Sequence, residues 1–328
     1  MFENKRILIT GGTGTFGKNF CSMTLSKYKP KELIVVSRDE MKQWEMQNQY
    51  KKFKNLKFVI GDVRDKERMS SVLDGIDYVF HAAATKIVPS SELNPEECIK
   101  TNVTGAINVI HAARVNNVKK VIALSTDKAC NPVNLYGASK LASDKLFVAA
   151  NFQNNTKSTM FSIVRYGNVI GSRGSIIPFF LNMPKNHAFP ITDVRMTRFL
   201  ISIEDAVKLV WSATRDMQGG EIYVKKIPSI KIIDLAKLID PKRKIKIVGI
   251  RPGEKLHEEM ISLEDAYTTY EYGDYFKILP QINNTFLNKK TIKNGKRVKE
   301  NFNYKSDLNK DWIKIEKLKK LISRTPND

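Results

Sequence analysis

The sequence predicts an α/β fold, a doubly wound parallel sheet with a smaller, discontinuous second domain. Three observations carry this. Apolar runs rich in β-branched residues recur as RILIT, ELIVVS, LKFVIGD, YVFHAAA, KKVIALST and FSIVRYGN. Segments of helical period separate them. After Gly167 that rhythm gives way to glycine- and proline-bearing loops. Strands that are apolar on both sides belong in a parallel sheet covered on both faces, and right-handed crossovers then give a Rossmann-type order.

The first strand, RILIT, runs into TGGTGTFG, in which Gly11, Gly14 and Gly17 are spaced as GxxGxxG with Thr13, Thr15 and Phe16 between and beside them. Glycines at a strand-to-helix turn let the backbone approach a pyrophosphate at the positive end of the helix, so this turn predicts dinucleotide binding. The second strand ends in VVSRDEMKQ. An acid at that strand end would bind a ribose 2′-hydroxyl; Ser37, Arg38 and Lys42 instead offer a hydroxyl and two cations to a 2′-phosphate, with Asp39 close by. That choice favours NADP over NAD. Asp62 and Val63 end the third strand, where an adenine would lie. Ala82, Ala83 and Ala84 end the fourth and are small enough for a dinucleotide to pass. Lys86 and Asn102 complete the expected cofactor set. A helix from Asn102 is expected to bury Val103, Ala106, Ile107 and Ile110 on one face.

The fifth strand leads into STDKACNPVNLYGASK. Tyr136 and Lys140 are four residues apart, on one face of the following helix. A lysine ammonium one turn away can lower the phenol's pKa and hold a nicotinamide ribose, making the tyrosine a base for a substrate hydroxyl. Past Gly167 come GSRGSIIPFF, MPKNHAFPITD, the helix SIEDAVKLVWSATR and the strand GGEIYVKK. The expected division is 1–167 with about 199–225 for the nucleotide-binding domain, and about 168–198 with 226–328 for the second. Trp44, Trp211 and Trp312 are expected to pack, and His81 and His257 to be packed or hydrogen-bonded rather than titrating.

Composition narrows the class. With 328 residues, 42% of them hydrophobic, the chain can bury a full core. Cys21, Cys98 and Cys130 are scattered and odd in number, which argues against a disulfide framework and a metal site and fits a reducing cytoplasm. The opening MFENKRILITGG is too short and wrongly flanked for a leader or a membrane span. Net charge is +21, yet residues 285–328 hold 13 Lys or Arg against 5 Asp or Glu, so most of the excess is spread along the rest of the chain. No zinc-finger, RNP or helix-turn-helix signature accompanies it. The expectation is a solvated basic surface with neither nucleic acid nor membrane as partner.

Over about its first 225 residues the chain resembles the extended short-chain dehydrogenases/reductases. Taken with STDKACNPVNLYGASKLASDKLF, the segments RYGNVIGSRGSIIPFF, PITDVRMTRF, GIRPGEKLHEEM and FNYKSDLNKDW are similar to the inverting UDP-N-acetylglucosamine 4,6-dehydratases that open routes to pseudaminic acid and related L-sugars. Retaining relatives carry Asp-Glu where this chain has Asp127-Lys128. The resemblance implies Lys128 as the base at sugar C5, Asp127 as the acid for loss of water, Tyr136 as the hydroxyl-activating group, Lys140 as its support and Thr126 as a sugar contact. It further implies Lys86, Asn168, Val169, Arg173, Arg198, Arg251 and Glu254 around a UDP-sugar, and a homo-oligomer, dimer-based and up to a hexamer. The chain departs from the family pattern at Thr85, Ile87 and the loop with Pro184, which leaves the exact sugar open. A lysine base working near neutrality must fall from about 10.4 to about 7, and both Asp127 and Lys128 can face one substrate only if the backbone leaves β geometry there. A nucleotide-sugar 4-epimerase or a retaining dehydratase would use the same Tyr136 and Lys140. A non-catalytic NADP-binding regulator with a basic nucleic-acid surface is the alternative of another class.

Overall fold

Successive side chains of a strand point to opposite faces, and β1 (Arg6–Thr10) buries both: Ile7 and Ile9 pack with Phe20 of α1 (Thr15–Lys27), while Leu8 packs on the other face. This computed structural model describes residues 1–153, 159–282 and 289–322, so residues 323–328 of the expected second domain, and Asn288 at the head of its basic stretch, lie outside the described residues. β1 pairs in parallel with β2 (Glu32–Ser37) on one side and β4 (Tyr78–His81) on the other. Beyond β2 and α2 (Glu40–Gln49) lies β3 (Leu56–Ile60); beyond β4 lie β5 (Lys120–Thr126) and β6 (Met160–Tyr166). Strand order therefore reverses between β1 and β4, and the carboxyl ends of those strands open the crevice in which such sheets bind ligands.

Helices α3 (Lys66–Val72), α4 (Val88–Leu93), α5 (Pro95–Ile99), α6 (Gly105–Val115) and α7 (Leu135–Ala149) succeed one another along the chain. Met69, Ala106, Val109 and Phe147 from α3, α6 and α7 join Leu8 and Val79 in one buried cluster. The expected helix from Asn102 starts with a π-helical turn, Lys100–Thr104, before α6. Ala106 and Ile110 are buried as expected, with Val109 beside them, while Ile107, on the flank of that face, is 47% exposed. Trp211 is buried as expected; Trp44, on α2, is 60% exposed, because that helix turns only Gln43 and Met46 inward.

The second lobe begins with β7 (Asn168–Val169), α8 (Ile176–Leu181), β8 (Phe189–Ile191) and β9 (Thr197–Ile201). The chain returns through α9 (Ile203–Asp216), which packs Val207, Val210 and Trp211 into the cluster with Phe20, and β10 (Ile222–Lys225), which extends the sheet in parallel beside β6. β11 (Ser229–Lys231), α10 (Ile232–Ile239), β12 (Ile245–Ile247) and β13 (Glu259–Ile261) rebuild the small lobe, with sheets β11-β9-β7 and β12-β8. Two positions differ from the sequence division. Strand β9, expected with the large sheet, lies in the small one, and β14 (Thr269–Glu271), β15 (Tyr275–Ile278) and Lys296–Arg297 come back to the large sheet as antiparallel strands. Nothing in a short apolar run such as YFKI tells which of two sheets it will join.

Candidate functional site

The carboxyl ends of β1 to β6 and the facing loops of the small lobe enclose a cleft of about 1300 Å³. A pocket for one drug-sized ligand occupies about 300–1,000 Å³, so this cleft has room for more than one. Its nucleotide side is built first by Gly11 at φ +65°, a conformation in which a side chain is strained, and a Cβ there would stand 2.8 Å from the Ala83 backbone. The turn thus lies directly on the end of β4, held by Ala82 N–H to Thr10 O (3.2 Å) and Ala83 N–H to Thr10 Oγ1 (3.3 Å). Thr10 Oγ1 also meets His81 Nδ1 at 2.9 Å; burial pushes that imidazole down to about 3, so it stays neutral and structural. Gly14 caps the N-terminus of α1, and Thr13, Gly14, Thr15, Phe16 and Gly17 all face the cleft.

The cation pair expected for a 2′-phosphate is present but already neighboured by carboxylates. Lys42 Nζ lies 2.5 Å from Asp39 Oδ2, and Asp39 also caps α2. Arg38, more than half exposed, stands 3.7 Å from Asp62, whose carboxyl is chiefly engaged by Arg64 and held below its ordinary range; burial opposes that lowering and loses to the arginines. Ser37 Oγ accepts from Gln43 Nε2 at 3.1 Å. Arg38 is therefore the freer of the two cations. Val63, Ala82, Ala83, Ala84 and Lys86 line the cleft as expected. Asn102 does not: it is buried, and its amide binds Thr85 O (2.9 Å), Thr85 N–H (2.9 Å) and Ser139 Oγ (2.9 Å), bracing the loop after β4 instead of touching a ligand.

The dinucleotide fits by two further features. Lys140 is 3% exposed, lines the cleft, and among the described residues its Nζ makes no hydrogen bond, leaving a buried donor for a ribose hydroxyl. Burial lowers its pKa, against the pull of Asp144. The backbone of Gly11 and Gly14 gives the pyrophosphate a close approach at a helix N-terminus.

At the other end, β5 stops at Thr126 and Asp127–Ala129 form a single 3₁₀ turn, so the backbone leaves β geometry where the sequence demanded it. Gly137 makes room for this turn: a Cβ at that position would lie 2.2 Å from Lys128 O, so α7 packs directly against it. Asn134 caps α7 through Gly137 N–H (2.8 Å) and with its Nδ2 holds Gly253 O (2.7 Å), hanging the Arg251–Glu254 loop over the site. Tyr136, one residue into that helix, faces Thr126 and the cleft.

Lys128 Nζ stands 3.0 Å from Asp127 Oδ1 and 3.0 Å from Glu258 Oε1, and Arg198 Nε is 3.6 Å from the same Glu258 oxygen. The cluster pairs two carboxylates with two cations. Burial lowers an ammonium, but Asp127 and Glu258 outweigh it and hold Lys128 above the ordinary lysine range. That is opposite to the direction a free lysine base requires. Burial and the charge of Glu258 raise Asp127, whereas in Glu258 burial is outweighed by Lys128 and Arg198 and the pKa falls. The tyrosine is pushed up to about 12 by burial, with Lys128 as the chief opposing cation, in the role expected of Lys140.

Of the residues expected around the sugar nucleotide, Lys86, Thr126, Asn168, Val169, Arg173, Arg198, Arg251 and Glu254 all border the cleft. Asn168 borders the cleft, and its Oδ1 is buried with no hydrogen-bond partner among the described residues. Lys86 Nζ binds Arg173 O at 3.1 Å, and Arg251 pairs with Glu254, which the arginine holds below its usual range against burial. Arg198 is turned differently from expectation: its guanidinium donates to the carbonyls of Thr197 (2.7 Å), Lys255 (3.0 Å) and Leu256 (3.2 Å), and its remaining side faces Glu258, so it braces the loop and the carboxylate instead of presenting a fork to a diphosphate. Glu258 itself was missed. It lies in the sequence HEEM beside Glu259, and only strand alternation sends the first inward and the second out to Asn131 and Asn303. Among the described residues no cluster could hold a metal ion, all three cysteines are buried and free, and no helix is long and apolar enough to cross a membrane.

Comparison with known proteins places this geometry. A family model described as polysaccharide biosynthesis protein matches residues 7–280. The UDP-N-acetylglucosamine 4,6-dehydratase (inverting) of Campylobacter jejuni is 54% identical over 99% of both chains. A Rickettsia bellii protein named UDP-glucose 4-epimerase is 45% identical over 85% of this chain and 84% of its own. Among solved structures, Pen from Bacillus thuringiensis superposes with a TM-score of 0.90 at 38% identity, covering 98% of each chain.

Proposed function

The chain belongs to the polysaccharide biosynthesis protein family, and from that membership we propose that it is an inverting UDP-N-acetylglucosamine 4,6-dehydratase. The single observation that carries the reading is the 3₁₀ turn that brings Asp127 and Lys128 into the cleft beside Tyr136. Oxidation and re-reduction at C4 would need the tyrosine alone; an acid and an amine added beside it answer the needs of water loss across C5 and C6. The full-length likeness to the Campylobacter enzyme supports the same substrate.

The cofactor assigned is NADP, with Arg38 and Lys42 toward the 2′-phosphate, Gly11 to Gly17 under the pyrophosphate, Asp62 and Val63 toward the adenine, and Lys140 on the nicotinamide ribose. When bound, that group would supply the hydride acceptor for C4 and the hydride returned to C6. Tyr136 accepts the proton of the C4 hydroxyl as the phenolate, after releasing its own proton; burial opposes that ionisation and the field of Lys128 favours it. The C4 ketone acidifies the C5 proton, and the Lys128 amine removes it. Because Lys128 is held protonated, it must first pass its proton over 3.0 Å to Asp127 Oδ1. That transfer yields both groups the elimination needs: a neutral amine for C5 and a carboxylic acid for the departing C6 hydroxyl. Reprotonation of C5 from the opposite face gives the 2-acetamido-2,6-dideoxy-L-arabino-hexos-4-ulose nucleotide, a precursor suited to pseudaminic-acid-type L-sugars. Asn168 and Arg251, which border the cleft, would bind the nucleotide end.

The same reading takes the protein as cytoplasmic and homo-oligomeric. Its buried free thiols suit a reducing compartment, and Leu93, Ile99 and Ile107, exposed on α4 to α6, are apolar surface that a second copy would cover.

NMR of the protein with UDP-N-acetylglucosamine in deuterated water, without added reductant, tests the assignment. The expected product is a 6-deoxy-4-keto L-sugar with deuterium at C5, lost in Lys128→Ala. A 4-epimer retaining its C5 proton would instead assign the activity in the name of the Rickettsia relative.

A further inference from the structure

Lys128 has two carboxylates at equal distance, and only one of them can usefully take its proton. Asp127 Oδ1 and Glu258 Oε1 each lie 3.0 Å from Nζ. Their surroundings differ. Asp127 is joined otherwise by a neutral hydroxyl, Thr126 Oγ1 at 3.0 Å, while Glu258 has the Arg198 guanidinium 3.6 Å away. Arg198 cannot swing off, since three backbone carbonyls hold it, and Glu258 is fixed through its own backbone by Ser306, with Glu258 N–H to Ser306 Oγ at 2.9 Å and Ser306 N–H to Glu258 O at 2.8 Å. Both carboxylates are nearly inaccessible, and each has one oxygen, Asp127 Oδ2 and Glu258 Oε2, buried with no hydrogen-bond partner among the described residues.

We propose that Glu258 is a positioning residue for the elimination: it holds the Lys128 ammonium against Asp127 and, being itself paired with Arg198, leaves Asp127 as the carboxylate that takes the Lys128 proton. An anion beside a fixed guanidinium is the weaker proton acceptor of the two. The transfer breaks one N–H bond of Lys128 and forms one O–H bond on Asp127, with no change of net charge in the cluster. Glu258 thereby acts through Lys128 and Asp127 without touching the sugar. This rests on the dehydratase reading above and says which of two equivalent-looking acids is the general acid.

The charged and titratable groups around Glu258 are Lys128, Asp127, Arg198 and Lys255, and Lys128 also faces Tyr136. Removing the Glu258 charge makes the single proton shared by Lys128 and Asp127 easier to lose. In Glu258→Gln the alkaline limb of the kcat profile should move to lower pH by about one unit, with kcat down about ten- to a hundred-fold and KM little changed. Glu258→Asp, which keeps the charge, should recover part of the rate; it also serves if the glutamine variant does not fold. In an Asp127→Asn background the same Glu258 substitution should cost almost nothing more, because both act on one proton. Additive losses in that cycle, or a Glu258 variant with an unshifted profile, would overturn the inference while wild-type deuterium incorporation at C5 leaves the dehydratase assignment standing. Wild type giving no dehydrated product would instead remove the assignment itself.

Discussion

Two lysines reach the floor of the same cleft from neighbouring elements, and their surroundings treat them oppositely. Lys128, on the turn after β5, lies between Asp127 and Glu258 and is held protonated. Lys140, on α7, is the more enclosed of the two and has only Asp144 to offset burial, so its ammonium is destabilised. The first belongs to a region whose charges compensate one another before any ligand arrives; the second belongs to a region shaped to receive one. The difference teaches that burial alone does not set a lysine's protonation, and that the count of facing carboxylates decides which amine carries protons and which carries hydrogen bonds.

The largest effect falls on the tyrosine beside Lys128. Tyr136→Phe removes the phenol that faces Thr126 and should lower kcat about a hundred- to ten-thousand-fold, with the unfolding midpoint nearly unchanged because no charge is left unpaired. A loss of stability matching the loss of rate would mean the hydroxyl is structural. Next comes the comparison of the lysines themselves. Lys128→Ala leaves the buried Asp127 without its cation and Glu258 with Arg198 alone, and should cost about 3–5 kcal/mol in urea unfolding at pH 7; Lys140→Met strands no carboxylate in this way and should cost far less. The pH dependence must also differ in sign. A raised native pKa gives Lys128 a contribution that is complete below the unfolded value of about 10.4 and fades only above it. The depressed pKa of Lys140 penalises folding below that same value, so wild type should gain on Lys140→Met as pH rises through the alkaline range toward the unfolded value of about 10.4. Parallel curves for the two variants would erase the distinction.

The sequence made one of these regions far more legible than the other. Strand rhythm and the glycine turn located Gly11 to Gly17, Ala82 to Ala84 and the Tyr136–Lys140 helix, because each rests on local backbone requirements that one stretch of sequence contains. The departure of Asp127–Lys128 from β geometry was legible for the same reason. Glu258 was not, since its meeting with Lys128 joins residues 130 positions apart and depends on which of two adjacent glutamates is turned inward at the start of β13. Arg198 was found but given the wrong partner: an arginine in PITDVRMTRF looks like a diphosphate ligand until three carbonyls of its own strand and a distant loop are seen around it. On α6 the periodicity argument found Ala106 and Ile110, which are buried, and erred at Ile107, because a residue on the flank of a face fits the same spacing and its neighbours decide whether it is covered.

The contact between the two regions is itself testable. Gly137→Ala places a Cβ 2.2 Å from Lys128 O, and an α-helix locked against a 3₁₀ turn cannot yield without moving Lys128 from its carboxylates. The expected cost is about 1–3 kcal/mol in stability, accompanied by a loss of kcat larger than that of KM. If turnover is retained while stability falls, the seat of the turn is a packing contact only.

The smallest expected effect concerns the cofactor, where the region built to receive a ligand is least committed. Lys42 is already neutralised by Asp39, and Arg38 is the cation free to reach a 2′-phosphate. Charge-assisted contacts to phosphate contribute about 1.5–3 kcal/mol when well formed, and an exposed guanidinium realises the lower end of that range. Arg38→Ala should therefore weaken NADP binding about tenfold while leaving NAD binding unaltered, measured by titration calorimetry with each dinucleotide. Equal loss for both would mean that Arg38 serves the adenine or the backbone and that the second strand end does not choose between them. A gain for NAD with no loss for NADP would assign the 2′ position to Ser37 and Lys42, with Asp39 released from its lysine.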